Sequence, residues 1–266
     1  MRAFPTASEG QVVGALAAGL GPRFVGRTPL FPLQRCDGSV WIKREGLQAT
    51  GSYFDRVASW QLAQLPAGLP LVVRGWTSHT VALLALAKRA GHRVSVVVDD
   101  ASSPRLRALA QGYGPRVVRA KAGEIDAEVQ REVDAGALLV SRLEVAAHLA
   151  ALRELAAEVA EQRPATPRIW VIPAYAWNEA QAAALLSAML GTRVEVHLVE
   201  DDGDDRERIL SPCAAIRRTQ LGHREGWLVS PLGAELVDRA IALAADSDQE
   251  VVVLVPEDGQ RYLGWW

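Results

Sequence analysis

A chain of 266 residues, 49% hydrophobic and 23% charged, holds enough apolar material for one large core or two modest ones, which sets it apart from disordered and low-complexity proteins. Its formal charge of -2 gives neither a broad basic field for nucleic acid nor a polybasic stretch for an anionic membrane, so small molecules and proteins are the expected partners. Cys36 and Cys213 are too few for a disulfide framework or a metal knuckle, and without an apolar leader or a run of about 18 apolar residues the expected location is the cytoplasm.

Short β-rich runs alternate with longer helical patterns along the chain. Strands are predicted at 40–43, 71–74, 94–98, 116–118, 137–140, 169–172, 194–199 and 251–255, most of them apolar enough to be buried on both faces. Between them, apolar residues at helical spacing mark 80–90, 143–162 and 179–190. Strand then helix, repeated, predicts an α/β class with parallel sheets and crossover helices. Gly91 and Gly191 each close a helical run ahead of a strand, the place for a C-terminal helix cap. The acidic run from Glu200 to Asp205 lacks the spacing of a calcium loop and reads as solvated, so no metal site is predicted. Lysines stand only at 43, 88 and 121.

Several segments resemble fold-type II pyridoxal-phosphate enzymes of the cysteine synthase, cystathionine β-synthase and tryptophan synthase β kind. Gly26-Arg27-Thr28-Pro29-Leu30 is similar to their Gly-Asn-Thr-Pro-Leu opening, and the run from Lys43 through Thr50-Gly51-Ser52-Tyr53-Phe54-Asp55-Arg56 to their Thr-Gly-Ser-Phe-Lys-Asp-Arg signature. The likeness continues at Trp76-Thr77-Ser78-His79-Thr80, at Ala110 to Gly114, and at Pro256-Glu257-Asp258-Gly259-Gln260-Arg261-Tyr262-Leu263. It implies a two-domain α/β fold, with a smaller domain over 46–149, a larger one from 1–45 plus 150–266, and a cofactor cleft between them.

The same resemblance exposes departures. The family's Schiff-base lysine corresponds to Phe54, which can neither condense with an aldehyde nor return as a base. The glycine-rich phosphate loop corresponds to Ala174-Tyr175-Ala176-Trp177-Asn178, the ring-hydroxyl asparagine to Ser78, and the serine pair near the pyridine nitrogen to Pro231-Leu232. Losing three phosphate donors and the covalent bond would cost roughly 5 kcal/mol or more, about a thousandfold in affinity. No cofactor is therefore expected, and Phe54, Trp76, Tyr175, Trp177, Asn178 and Leu232 are expected to occupy its place, either as collapsed core or as the wall of a differently shaped pocket.

Recognition of a carboxylate does not need those anchors. The resemblance gives backbone amides of Thr77, Ser78, His79 and Thr80 the substrate-carboxylate loop, and Arg142 stands where the family has a glutamine. The expected ligand is an amino acid, a peptide C-terminus or another small carboxylate; the plainer alternative has Thr77 and Ser78 capping a helix and Arg142 pairing with Glu144. His79, Tyr53 and Asp55 are candidates for acid–base chemistry if the chain is an enzyme, while the remaining histidines, 92, 148, 197 and 223, lack metal-ligand periodicity. Gly264-Trp265-Trp266 leaves a partner protein, a homodimer contact and a fold back onto its own domain open. The leading expectation is a pseudoenzyme acting as a binding or regulatory partner. A repurposed cofactor-independent lyase or transferase acting on an amino-acid-like substrate is the alternative, and noncovalent pyridoxal phosphate a third.

Overall fold

Two sheets organise the described residues, which in this computed structural model are 25–35, 39–99, 104–121, 123–163, 165, 167–200, 212–247 and 249–262. The sheets belong to two compact units, one built on Phe54–Arg142 and the other on Gly26–Tyr53 with Leu143–Trp266. The acidic positions from 201 to 205, Cys36, and Trp265 and Trp266 lie outside the described residues.

The first unit begins with α1 (Phe54–Ala63), followed by β3 (Leu71–Arg74), α2 (Ser78–Arg89), β4 (Val94–Val98), α3 (Pro104–Gln111), β5 (Arg116–Arg119), α4 (Ile125–Asp134) and β6 (Leu138–Leu139). Its strands run parallel in the order β5-β4-β3-β6, with Leu71 opposite both Val94 and Leu138. The central strands are buried, as their continuous valine and leucine runs require, whereas β5 at the edge is exposed at three of four residues. The chain lays β3, β4 and β5 in one direction and then returns to the other side of β3, so β3 and β6 flank a topological switch point. Loops at the carboxyl ends of such neighbouring strands diverge and leave room for a ligand.

In the second unit, β1 (Leu30–Pro32) and β2 (Val40–Arg44) precede α5 (Val145–Gln162), β7 (Ile169–Ala174), α6 (Glu179–Leu190), β8 (Glu195–Glu200), α7 (Pro212–Glu225), α8 (Pro231–Ala245) and β9 (Val251–Val255). The order is β1-β2-β9-β7-β8, all parallel except the β1–β2 pair, and its switch point lies between β7 and β9. Ile42, Val171, Leu236, Val237, Val251 and Val253 form the centre of its core, with α8 laid on one face of the sheet. A buried carboxylate closes this unit: Glu257 accepts from Ser52 Oγ and Arg261 Nη1 on one oxygen and from Tyr262 Oη on the other.

The α/β class and the parallel sheets are as the alternation of strand and helix predicts. Gly191 caps α6 in the left-handed region at φ 65°, and Gly91 turns the chain out of α2 at φ 77°. The predicted strand at 137–140 is only two residues long, Leu138–Leu139, although Val140 N still donates to Val72 O of β3 at 3.0 Å. Among the described residues no helix is long and apolar enough to cross a membrane, and no group of three His, Cys, Asp or Glu side chains could hold a metal ion.

Candidate functional site

The switch point of the first unit gathers most of the predicted ligand-binding residues. β3 delivers the chain to Gly75, whose φ of 70° reverses it into α2, and Thr77 caps that helix by accepting from Thr80 N at 3.1 Å. Thr80 Oγ1 donates to Gly75 O at 2.8 Å, so it accepts from Thr77 Oγ1 at 3.0 Å. Both hydroxyls are thereby spent on holding the turn. Val81 N reaches Thr77 O, whereas neither the N–H nor the hydroxyl of Ser78 donates a hydrogen bond among the described residues.

His79 is buried and its Nε2 stands 2.7 Å from Gln61 Oε1. Gln61 reaches across from α1, and its Nε2 donates to Ser141 O at 2.7 Å. Since that carbonyl can only accept, the amide is oriented and Oε1 must be its acceptor, which makes His79 Nε2 the protonated nitrogen of the neutral ring and Nδ1 the basic one. The loop after β3 and the loop after β6, with half-buried Arg142 next to Ser141, are thus joined through one glutamine. Phe54 lies against His79 edge to face, with ring centroids 5.8 Å apart, and Trp76 and Asp55 are buried in the same unit.

An aromatic cluster sits at the second unit's switch point. Tyr53 is held beside β9 by its amide bond to Pro256 O and stacks on Tyr175 at 5.2 Å, while its hydroxyl lies 3.3 Å from His148 Nδ1. Trp177 packs on the same rings and donates Nε1–H to Pro173 O at 3.0 Å. His148 was not among the predicted site residues. The signal for it is its place on the buried stripe of α5, in register with Leu152, Leu155 and Val159. Leu232, in the first turn of α8, packs into the main core cluster, and Asn178 is exposed. The side chain of Asn178 accepts from Gln181 N at 2.9 Å and that of Gln181 from Asn178 N at 3.1 Å, a capping box that the Asn-x-x-Gln spacing signals.

A model of the pyridoxal-phosphate dependent enzymes matches residues 22–206 of this sequence. The chain belongs to that family. It is 31% identical over 104 residues to cysteine synthase B of Escherichia coli (strain K12), a match that spans about a third of either protein, 35% of this chain and 34% of the relative. Its fold is similar to the crystal structures of O-ureido-L-serine synthase, at 20% identity and a TM-score of 0.75 over 91% of this chain and 92% of that one, and of a pyridoxal 5'-phosphate-dependent aspartate racemase, at 17% identity and a TM-score of 0.73 over 97% of each.

Pyridoxal phosphate, which the family implies, needs an amine and a phosphate cradle, and the residues at the places that the resemblance assigns do not fit it. Position 54 offers a phenyl ring. Lys43 is fully buried and bound, with Nζ 2.6 Å from Glu158 Oε2 and 2.5 Å from Thr28 O, while Lys88 and Lys121 are exposed on the first unit. A cradle presents unoccupied helix N-terminal amides to the oxygens. At α6 the capping box already takes the amides of Asn178 and Gln181, and the buried Trp177 ring fills the turn before them.

Proposed function

We propose that this chain is a pyridoxal-phosphate-independent member of the family, a pseudoenzyme on a cysteine synthase-like scaffold that acts as a binding or regulatory partner for a small carboxylate or amino acid. The observation that carries the reading is the turn before α6, where the buried Trp177 ring and the Asn178–Gln181 box take space and two of the amides that a phosphate would need. The ligand class is supported by the first unit's switch point, where the uncommitted Ser78 N–H begins a helix and Arg142 adds a guanidinium on the neighbouring loop. The similar proteins point the same way, since a cysteine synthase, an O-ureido-L-serine synthase and an aspartate racemase are named for amino acids.

A second reading, cofactor-independent catalysis on an amino-acid-like substrate, is favoured by one feature. His79 is held as the Nε2–H tautomer by Gln61, so its Nδ1 has the lone pair that a general base requires.

Incubation with pyridoxal phosphate, borohydride reduction and intact-mass measurement test the first reading: no covalent adduct and no retained visible chromophore are expected. A stoichiometric adduct on Lys43, Lys88 or Lys121 would overturn it. Calorimetric titration with free amino acids, repeated on Arg142→Ala, tests the ligand, and a hit that the variant binds unchanged would remove Arg142 from the site. Turnover of any such hit, lost in His79→Ala with folding intact, would favour the second reading.

A further inference from the structure

We propose that the first unit carries an anion-binding pocket at the opposite, amino-terminal edge of its sheet, suited to a small organic phosphate monoester. A cavity of about 460 Å³ opens there, walled by Leu84 and by the polar residues Lys88, His92, Arg93, Arg116 and Glu132. Small-molecule clefts run from about 300 to 1,000 Å³, so this volume suits an organic body with its charged group and exceeds what a bare ion needs. The turns that form its rim are possible because Gly91 and Gly114 take φ values of 77° and 65°, reversing the chain from helix into β4 and β5.

The charge on the walls does not cancel. Arg116 is matched by Glu132 at 2.5 Å, and this guanidinium holds the Glu132 carboxyl below its ordinary pKa, so that pair is neutral overall. Lys88 and Arg93 have no acidic partner among the described residues, which leaves two cations over. His92 adds a polar atom of the other kind. It is only 6% exposed, its Nδ1 lies 2.9 Å from Leu69 O and must donate to that carbonyl, and its Nε2 has no hydrogen-bond partner among the described residues. With Nδ1 donating, Nε2 of the neutral ring carries the lone pair, which suits it to accept from a hydroxyl of the ester's organic body while Lys88 and Arg93 face the phosphate oxygens.

The opposing field is weaker. The carboxyl ends of α2, α3 and α4 also face this edge, each equivalent to about half a negative charge. The last carbonyls of α2 and α4 are already occupied, those of Leu86, Ala87 and Lys88 by the amides of residues 90 to 92 and those of Arg131, Glu132 and Val133 by the amides of residues 135 to 137. Helix-end attraction would account for Lys88 alone, but Arg93 stands beyond the helix and His92 is buried.

Calorimetric titration of the whole chain with glycerol 3-phosphate, at constant ionic strength set with sodium chloride, tests the pocket. Saturable binding is expected, weakened roughly tenfold or more in the double variant Lys88→Ala/Arg93→Ala and retained in Lys88→Arg. Both positions are exposed, so an unchanged urea midpoint should show that the double variant still folds. Lys121→Ala, which removes an exposed cation of the same unit outside the cavity, should bind as the parent does. Absence of saturable binding, binding of inorganic phosphate with the ester excluded, equal weakening in Lys121→Ala, or a double variant that binds unchanged would each overturn the proposal.

Discussion

His79 Nε2 and Gln61 Oε1 stand 2.7 Å apart, and through that amide the histidine is tied to the carbonyl of Ser141 on another loop. The two loops leave adjacent parallel strands, β3 and β6, at the unit's switch point. One neutral side chain therefore sets both the tautomer of His79 and the spacing between the helix start at residues 77–80 and the loop that carries Arg142.

Replacing Gln61 with leucine should leave a buried imidazole N–H and a carbonyl without their partner. Each orphaned group costs about 1–3 kcal/mol, so a loss of roughly 2–4 kcal/mol in urea unfolding is expected. An unfolding free energy equal to the parent's would mean that the bridge does not hold the turn.

Lys43 is fully buried against Glu158, whose side chain is 15% exposed. Lys43→Met strands the carboxylate, although Glu158 keeps its bond from Arg27 N, and should cost about 3 kcal/mol. Because the pair is expensive to desolvate, Lys43→Met/Glu158→Leu should regain most of that loss. Additive losses in the double variant, measured by denaturant unfolding, would contradict this account.

Gly259 has no room for a methyl group, since a Cβ there would lie 2.7 Å from Leu228 C and Val229 N. Gly259→Ala must push apart two backbone segments that pair through Gly259 N and Leu228 O, and about 1–3 kcal/mol of destabilisation is expected. Gly114→Ala meets open space and only the strain of a φ near 65°, about 1 kcal/mol. Thermal denaturation should rank the two in that order.

The Arg116 guanidinium lowers the Glu132 pKa below its ordinary 4.5. A depressed folded-state value contributes stability above the unfolded pKa and loses it as pH falls through the folded one. With Arg116 largely exposed, solvent screening keeps the pair's contribution small. The difference in unfolding free energy between the parent and Glu132→Gln should thus be small and constant near neutrality and vanish in acid. A difference that grows on acidification would have the wrong sign.

Local features were legible because they repeat within a few residues. The valine runs at Val94–Val98 and Val251–Val255 are buried strands as their composition requires, and the helical spacing at 179–190 coincides with α6. The edge strand β1 and the helices α1, α3, α4, α7 and α8 were not marked in advance; α3 and α4 are polar over much of their surface, which blurs their periodicity. Of the candidate site, the capping alternative for Thr77 and Ser78 holds for Thr77, which accepts from Thr80 N, and not for Ser78, which is the first residue of α2.

What the sequence determined by itself is the alternation of strand and helix, the family likeness, and the phenyl ring at position 54. Only the tertiary structure decided that Tyr53 meets His148 across 95 positions and that Gln61 joins His79 to Ser141. Hydrophobic period and capping spacing are short-range signals, whereas strand order selects which distant loops share a switch point, and no periodicity in a single chain encodes that choice.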